Sequence, residues 1–214
     1  MEKLELFQVH LQPNAAGFMD VSESMDSRTL ELINKVIHQS GAPTEAVASS
    51  VFMRRFGFFI SAQLYLLAHQ QMWAGPLSEV YLTEAEYGIA FEVDEKWLRP
   101  RQDGDLEMVV KNYAMPVVEA FRKVGPISKL VLWENIWGYV NWMYGMEESL
   151  QAQQDIESLL ADSFWQPEMR KSHFKQFLGG HSFEQSKAEY KRITCCLYKE
   201  LPETDKCPYC PLRK

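Results

Sequence analysis

All four cysteines of the 214-residue chain fall within sixteen positions, as Cys195-Cys196, ten residues, then Cys207-Pro208-Tyr209-Cys210. Thiols gathered this tightly in an otherwise cysteine-free chain ask for a common centre rather than chance packing. Three centres compete for them. The N-terminal Met1-Glu2-Lys3-Leu4-Glu5 is acidic and amphipathic, with no apolar leader core. That reads as a cytoplasmic, reducing setting, in which structural disulfides are disfavoured. A structural zinc site usually takes two Cys-x2-Cys knuckles, and here adjacent cysteines replace one. Neighbouring side chains on extended backbone point to opposite faces, so closing both onto one ion needs a strained ring. A 2Fe–2S cluster spreads its four thiolates over two irons and accepts a vicinal pair more easily. Spacing therefore ranks iron–sulfur above zinc, and zinc above disulfide.

The rest of the composition is that of a folded globular protein, with 46% apolar and 13% aromatic residues. No membrane span is expected, because Arg54 and Arg55 interrupt the most apolar run, Val51 to Ala68, which reads as a buried helix. A net charge of −7 argues against nucleic acid as the main partner. The charge is uneven: Lys187 to Lys214 carries a net +3, leaving −10 on the remaining 186 residues. A solvated surface is the ordinary reading of such a run. A positive tail also suits an anionic cluster, or an acidic electron donor.

Periodicity predicts an α+β fold, helix-dominated, with a small antiparallel sheet in the N-terminal half. A half-buried strand is expected over Leu4–Leu11, then an irregular stretch from Pro13 to Ser27, then a helix over Arg28–His38. Thr44 is placed to cap a long helix reaching about Trp73. Glu79–Leu82 and Tyr87–Val93 read as a hairpin. The breaker-rich Arg99-Pro100-Arg101-Gln102-Asp103-Gly104 divides an N-terminal part (1–103) from a helical part (104–190), which together form the body; the tail is 191–214. In the helical part, Pro116 should kink or split a helix over Leu106–Val124. Ile127–Tyr144 is apolar around most of its circumference and should be central, with a narrow stripe of Glu134, Gly138, Asn141 and Gly145. Further helices are expected over Glu147–Leu160 and Pro167–Leu178.

The tail, read as Arg192-Ile193-Thr194-Cys195-Cys196-Leu197-Tyr198 and Cys207-Pro208-Tyr209-Cys210-Pro211-Leu212, resembles that of the FhuF-type ferric-siderophore reductases. The Leu132-Trp133-Glu134-Asn135 segment and the overall length are similar to that family as well. The resemblance implies a 2Fe–2S cluster on Cys195, Cys196, Cys207 and Cys210. It implies an iron–sulfur oxidoreductase that reduces siderophore-bound Fe(III) and releases Fe(II) in the cytoplasm during iron uptake. Reduction frees the metal because Fe(II) suits hard anionic oxygens less well than Fe(III) does.

Such a substrate, an anionic ferric siderophore of hydroxamate type, calls for cations beside the cluster. Arg192, three residues before Cys195, is the first candidate; the other reading is a residue that holds the cluster loop. Arg54 and Arg55 follow, one of them facing a cleft unless both snorkel to the surface. Arg99 and Arg101 read as solvated, and His69, at the end of the long helix, as a satisfied or exposed histidine ahead of a proton donor. His173 and His181 precede the tail without a ligand spacing. The aromatic stripe around Trp137 reads as packed core rather than a pocket wall. Tyr198 and Tyr209 should shield the cluster from water. With no Gly-x-Gly-x-x-Gly or P-loop, electrons must come from an external donor such as a ferredoxin or flavodoxin. The competing readings are a non-enzymatic protein with a structural zinc or iron–sulfur tail, and a plain electron carrier.

Overall fold

In the computed structural model, which describes residues 2–86 and 88–213, the first elements are a short helix α1 (Glu2–Glu5) and a strand β1 (Val9–Gln12). Leu4 and Phe7 stand three apart, a helical spacing, and both are buried. Gln8, at φ 55°, then turns the chain into the strand. The single strand expected over Leu4–Leu11 is thus a helix followed by a shorter strand. Strand β2 (Met19–Asp20) and helix α2 (Val21–Ser24) occupy the stretch expected to be irregular. Asp20 and Glu23 close a capping box there that pattern reading passed over.

Helix α3 (Thr29–Ser40) ends on Gly41, whose φ of 68° is a left-handed cap. Helix α4 (Glu45–Ala68) starts where expected: the Thr44 hydroxyl accepts the Val47 N–H at 3.3 Å. It stops at Ala68 rather than Trp73, because Gln70 adopts φ 61° and Gln71–Trp73 forms strand β3. Strands β4 (Val80–Ala85) and β5 (Gly88–Asp94) make the expected hairpin, with Val80 opposite Val93. Tyr87, expected to open the second strand, lies outside the described residues. Strand β6 (Leu98–Pro100) pairs back onto β3. The main sheet runs β1-β5-β4-β2. It is mixed rather than wholly antiparallel, because β1 lies parallel to β5.

The 99–104 link is anchored. Arg99 grips Asp105, and Arg101 grips Asp155 with both terminal nitrogens while also donating to the Leu67 carbonyl. Neither arginine is solvated as expected. One hydrophobic core contains residues from both sides of the link.

After the link, α5 (Asp105–Glu107) leads into a π-helical stretch, Met108–Ala114, and then α6 (Met115–Phe121). A regular helix would press the Pro116 ring onto the carbonyl four residues back. The wider turn, in which the Met115 N–H reaches Val110, relieves that clash. Helix α7 (Lys129–Met146) is capped by Ser128, and α8 (Leu150–Leu160) by Ser149. The helix expected over Pro167–Leu178 is confined to α9 (His173–Phe177). The Ser172 hydroxyl donates to Leu159 and accepts from Lys175, so the helix can begin only there. Helix α10 (Phe183–Ala188) precedes the cysteines.

Helices α4 and α7 form the centre. Gly57 sets their distance: a Cβ there would lie 2.8 Å from the Tyr139 ring and 3.0 Å from the Asn135 carbonyl. Glycine in a helix costs about 1 kcal/mol relative to alanine, which the close approach offsets. By length and composition α4 could cross a membrane, but 72% of its most apolar window is buried inside the protein.

Candidate metal centre at the cysteine tail

Beyond α10 the described residues have almost no regular structure, only a single 3-10 turn at Tyr198–Glu200. Buried polar side chains of α7 and α4 hold it instead. The Glu134 carboxylate, fully buried, accepts the Ile193 N–H at 2.7 Å, the Thr194 N–H at 2.8 Å and the Thr194 hydroxyl. It also lies 3.4 Å from the Arg192 guanidinium. Arg192 is only 7% exposed, and donates to Thr194 O, Glu134 O and Asn135 Oδ1. Asn135 in turn donates to the Ser50 carbonyl and hydroxyl, and that hydroxyl donates to the Cys196 carbonyl at 2.7 Å. One chain of bonds thus runs from α7 through Arg192 and α4 to the backbone of Cys196.

The narrow stripe on α7 is the seam of this joint. Glu134 holds the segment before the cysteines, and Asn141 exchanges hydrogen bonds with Ser186 of α10. Gly138 and Gly145 leave room for Tyr190 and Lys187, which lie within 4 Å of where their Cβ atoms would stand. Pattern reading identified the stripe but not what it docks.

Cys196, Cys207 and Cys210 are buried and pack together with Tyr198, whereas Cys195 is half-exposed. The Cys196 and Cys207 sulfurs are 3.6 Å apart. This is far beyond a disulfide bond. It is close to the edge of a tetrahedron with metal–thiolate bonds of roughly 2.3 Å, about 3.8 Å. The Cys207-Pro208-Tyr209-Cys210 turn is closed by the Cys210 N–H on the Cys207 carbonyl, and the Arg192 N–H fixes it to Tyr209 O. Desolvation and the neighbouring Cys196 push the Cys207 thiol up to about 11. Among the described residues, no three His, Cys, Asp or Glu side chains converge on a point for one ion. Four thiols in one loop are the donor set taken by a single tetrahedral ion or by a two-metal cluster in which each iron takes two sulfurs.

Two clefts flank the cysteines. One, of about 660 Å³, has Cys196 and Cys207 in its wall, with Arg54, Lys187, Arg192, Tyr190 and Trp142 around them. No described acidic side chain lines it. The other, of about 530 Å³, lies between α3, α4, the β4–β5 hairpin and the tail. Arg54, Phe58 and Tyr139 border both. Arg54 lies over the Tyr198 ring at 4.8 Å.

The sequence-derived candidates therefore separate. Arg54 and Arg55 reach clefts, while Arg192 spends its donors on the protein and acts chiefly as the pin of the cysteine loop. His69 caps the far end of α4, about 29 Å along the axis from the Ser50 contact at 1.5 Å per residue. His173 packs on Trp133 and Phe177, and burial lowers its pKa. His181 is exposed. Trp133 and Trp137 are fully buried, so the cleft walls come from the opposite face, Tyr139 and Trp142. Tyr198 is half-buried against the thiols, but Tyr209 is 51% exposed and stacks on Tyr190, so it is not the shield expected of it. Tyr190 was missed; its hydroxyl is sealed from solvent and has no partner among the described residues. No protein-family model and no curated protein matches the chain.

Proposed function

We propose that the protein is a ferric-siderophore reductase that holds a 2Fe–2S cluster on Cys195, Cys196, Cys207 and Cys210 and releases Fe(II) in the cytosol. The observation that carries this reading is the close Cys196–Cys207 sulfur pair opening onto a cation-lined cleft. When bound, such a cluster supplies one electron at a potential the surroundings can set. The chain's own residues do the rest. Arg54 and Lys187 attract an anionic ferric complex, and the apolar Trp142 face receives its hydrocarbon framework. Cys196 and Cys207, in the wall, would hold the cluster beside the cleft. Glu134, Arg192, Asn135 and Ser50 hold the loop still, so little reorganisation is needed when an electron moves. Fe(III) accepts that electron and, as Fe(II), is held less firmly by the siderophore oxygens. Re-reduction requires an external donor such as a ferredoxin or flavodoxin.

An anaerobic visible and EPR spectrum before and after dithionite tests the reading, followed by mixing the reduced protein with a ferric hydroxamate under an Fe(II) trap. Charge-transfer bands, an S = 1/2 signal only after reduction, and trapped Fe(II) matching the reoxidised protein are expected. A colourless protein with zinc and no iron after anaerobic purification would overturn it in favour of a structural tail. Reoxidation without saturation in the ferric complex would leave only an electron carrier.

A further inference from the structure

Every arginine of the described residues that is not on the open surface has a carboxylate within 4 Å, except two. Arg28, Arg99, Arg101 and Arg192 are each paired. Arg54 and Arg55, adjacent on α4 and both half-buried, form no ion pair with a described residue. A half-buried cation without a counter-ion is costly, and a second beside it raises the cost. Arg54 has an explanation: it stacks on Tyr198, which packs against three of the cysteines, so a thiolate centre faces it. Arg55 does not. Its guanidinium lies over Gly88 in the hairpin, where a Cβ would stand 3.3 Å from Nε. Gly88, at φ 118°, keeps that space free. Glu86 also lines this groove but lies beyond ion-pair distance of either arginine.

We propose that this 530 Å³ groove is a carboxylate subsite, in which Arg55 and Arg54 take a free carboxylate of the ferric complex whose iron lies in the adjoining cleft. This rests on the reductase reading, and it narrows the substrate class to chelates that carry an uncoordinated carboxylate arm. An arginine fork matches a carboxylate in two parallel hydrogen bonds. The apolar walls, among them Val51, Phe52, Ile89 and Pro202, suit the hydrocarbon arm that brings it, and suit a bare inorganic anion less. Arg54 borders both clefts, so one ligand can span them.

Binding is measured by calorimetry on the whole protein with gallium(III) complexes, which mimic the ferric ones but are not reduced. The probes are a citrate-based dihydroxamate with amino-acid arms, whose α-carboxylates stay free while the citrate hydroxyl and central carboxylate complete the metal's six donors, and a neutral trihydroxamate. The wild type should prefer the first. Arg55→Gln should weaken it by roughly tenfold to a hundredfold, the loss of one charge-assisted pair, and leave the trihydroxamate within a factor of about two. Exposed Arg170→Gln, which removes the same charge elsewhere, should change neither. Equal losses for both probes, equal wild-type affinities, or no binding at all would overturn the subsite. Gallium binding needs no electron, so a charge-selective site without Fe(III) reduction would remove the reductase reading and keep the subsite. Reduction with charge-blind binding would do the reverse.

Discussion

Replacing Glu134 by glutamine keeps the shape of the joint between body and tail and removes its charge. Two backbone N–H groups and one hydroxyl of Ile193 and Thr194 now point at a neutral amide oxygen or at its NH2. Charge-assisted hydrogen bonds are about twice as strong as neutral ones, so each costs roughly 1 kcal/mol. The larger effect is on Arg192, 7% exposed and left without a counter-ion. Breaking a buried pair from one side costs about 3–5 kcal/mol, and this overlaps with the hydrogen-bond loss. The tail should therefore open locally, with the α4–α7 core intact, because few other polar contacts anchor it. Hydrogen exchange followed by mass spectrometry should show residues 190–213 exchanging roughly 100- to 1,000-fold faster, since each 1.4 kcal/mol is tenfold, while 129–146 stays protected. Arg192→Met alone should loosen the tail similarly, and the double variant Glu134→Gln/Arg192→Met should lose less than the sum by at least about 2 kcal/mol, because neither charge is then stranded. Unchanged protection at Ile193 and Thr194, or strict additivity, would refute the view that this pair holds the cysteine loop.

Four further outcomes follow from the same geometry. Cys207→Ser should abolish the native visible spectrum and Fe(II) release; full turnover in that variant would exclude a thiolate cluster. Gly57→Ala should lower stability by about 1–3 kcal/mol in denaturant titration, although alanine is the better helix former, because its methyl meets Tyr139 and Asn135; a gain would show the helices can part freely. Tyr190→Phe should keep the spectrum but lower the midpoint potential, because the unpartnered hydroxyl beside Cys196 and Cys207 is a donor that favours the more negative reduced state; an unmoved potential would leave Tyr190 as packing alone. For Asp105, burial raises the pKa, but the Arg99 guanidinium and the Gln102 N–H outweigh it and hold the carboxyl below its usual value. The stability it lends is present above the unfolded pKa of about 4 and is lost as pH falls through the lower folded value, so Asp105→Asn should flatten the acid limb of a thermal-melt profile.

The long helices were legible because their signals are local. Thr44, Ser128 and Ser149 cap α4, α7 and α8, and Gly41 ends α3 where the sequence punctuates. The failures lie where one residue's backbone outweighs the pattern: Gln8 and Gln70 at positive φ cut a strand and a helix short. Ser172 starts a helix late because its hydroxyl is needed at Leu159. The parallel seat of β1 beside β5 depends on a crossover of some seventy residues, which no local period records. At the site, the cysteines announced themselves by spacing, and the polar stripe on α7 by its contrast with its neighbours. Arg192 was visible as a cation near Cys195, but its direction was not. Whether a guanidinium faces ligand or protein is decided by a glutamate 58 positions earlier in sequence.

Why a body this size should use buried charge to hold a tail follows from what the tail lacks. Around the cysteines it has only a 3-10 turn, and only a few apolar side chains, Leu197 and Leu201 among them, pack on the main core, so backbone ladders and hydrophobic burial do little to fix its register. An apolar seam would grip it equally well in several registers. A carboxylate aimed at two successive N–H groups accepts only one, and a one-residue slip would strand both Glu134 and Arg192. Buried ion pairs add little net stability but can specify a register, which is the property a cysteine pair at defined separation requires. The same reasoning separates the two kinds of arginine. Arg192 is satisfied by the protein and so builds the site, whereas Arg54 and Arg55, left without carboxylates beside it, are the cations with capacity to spare for a ligand.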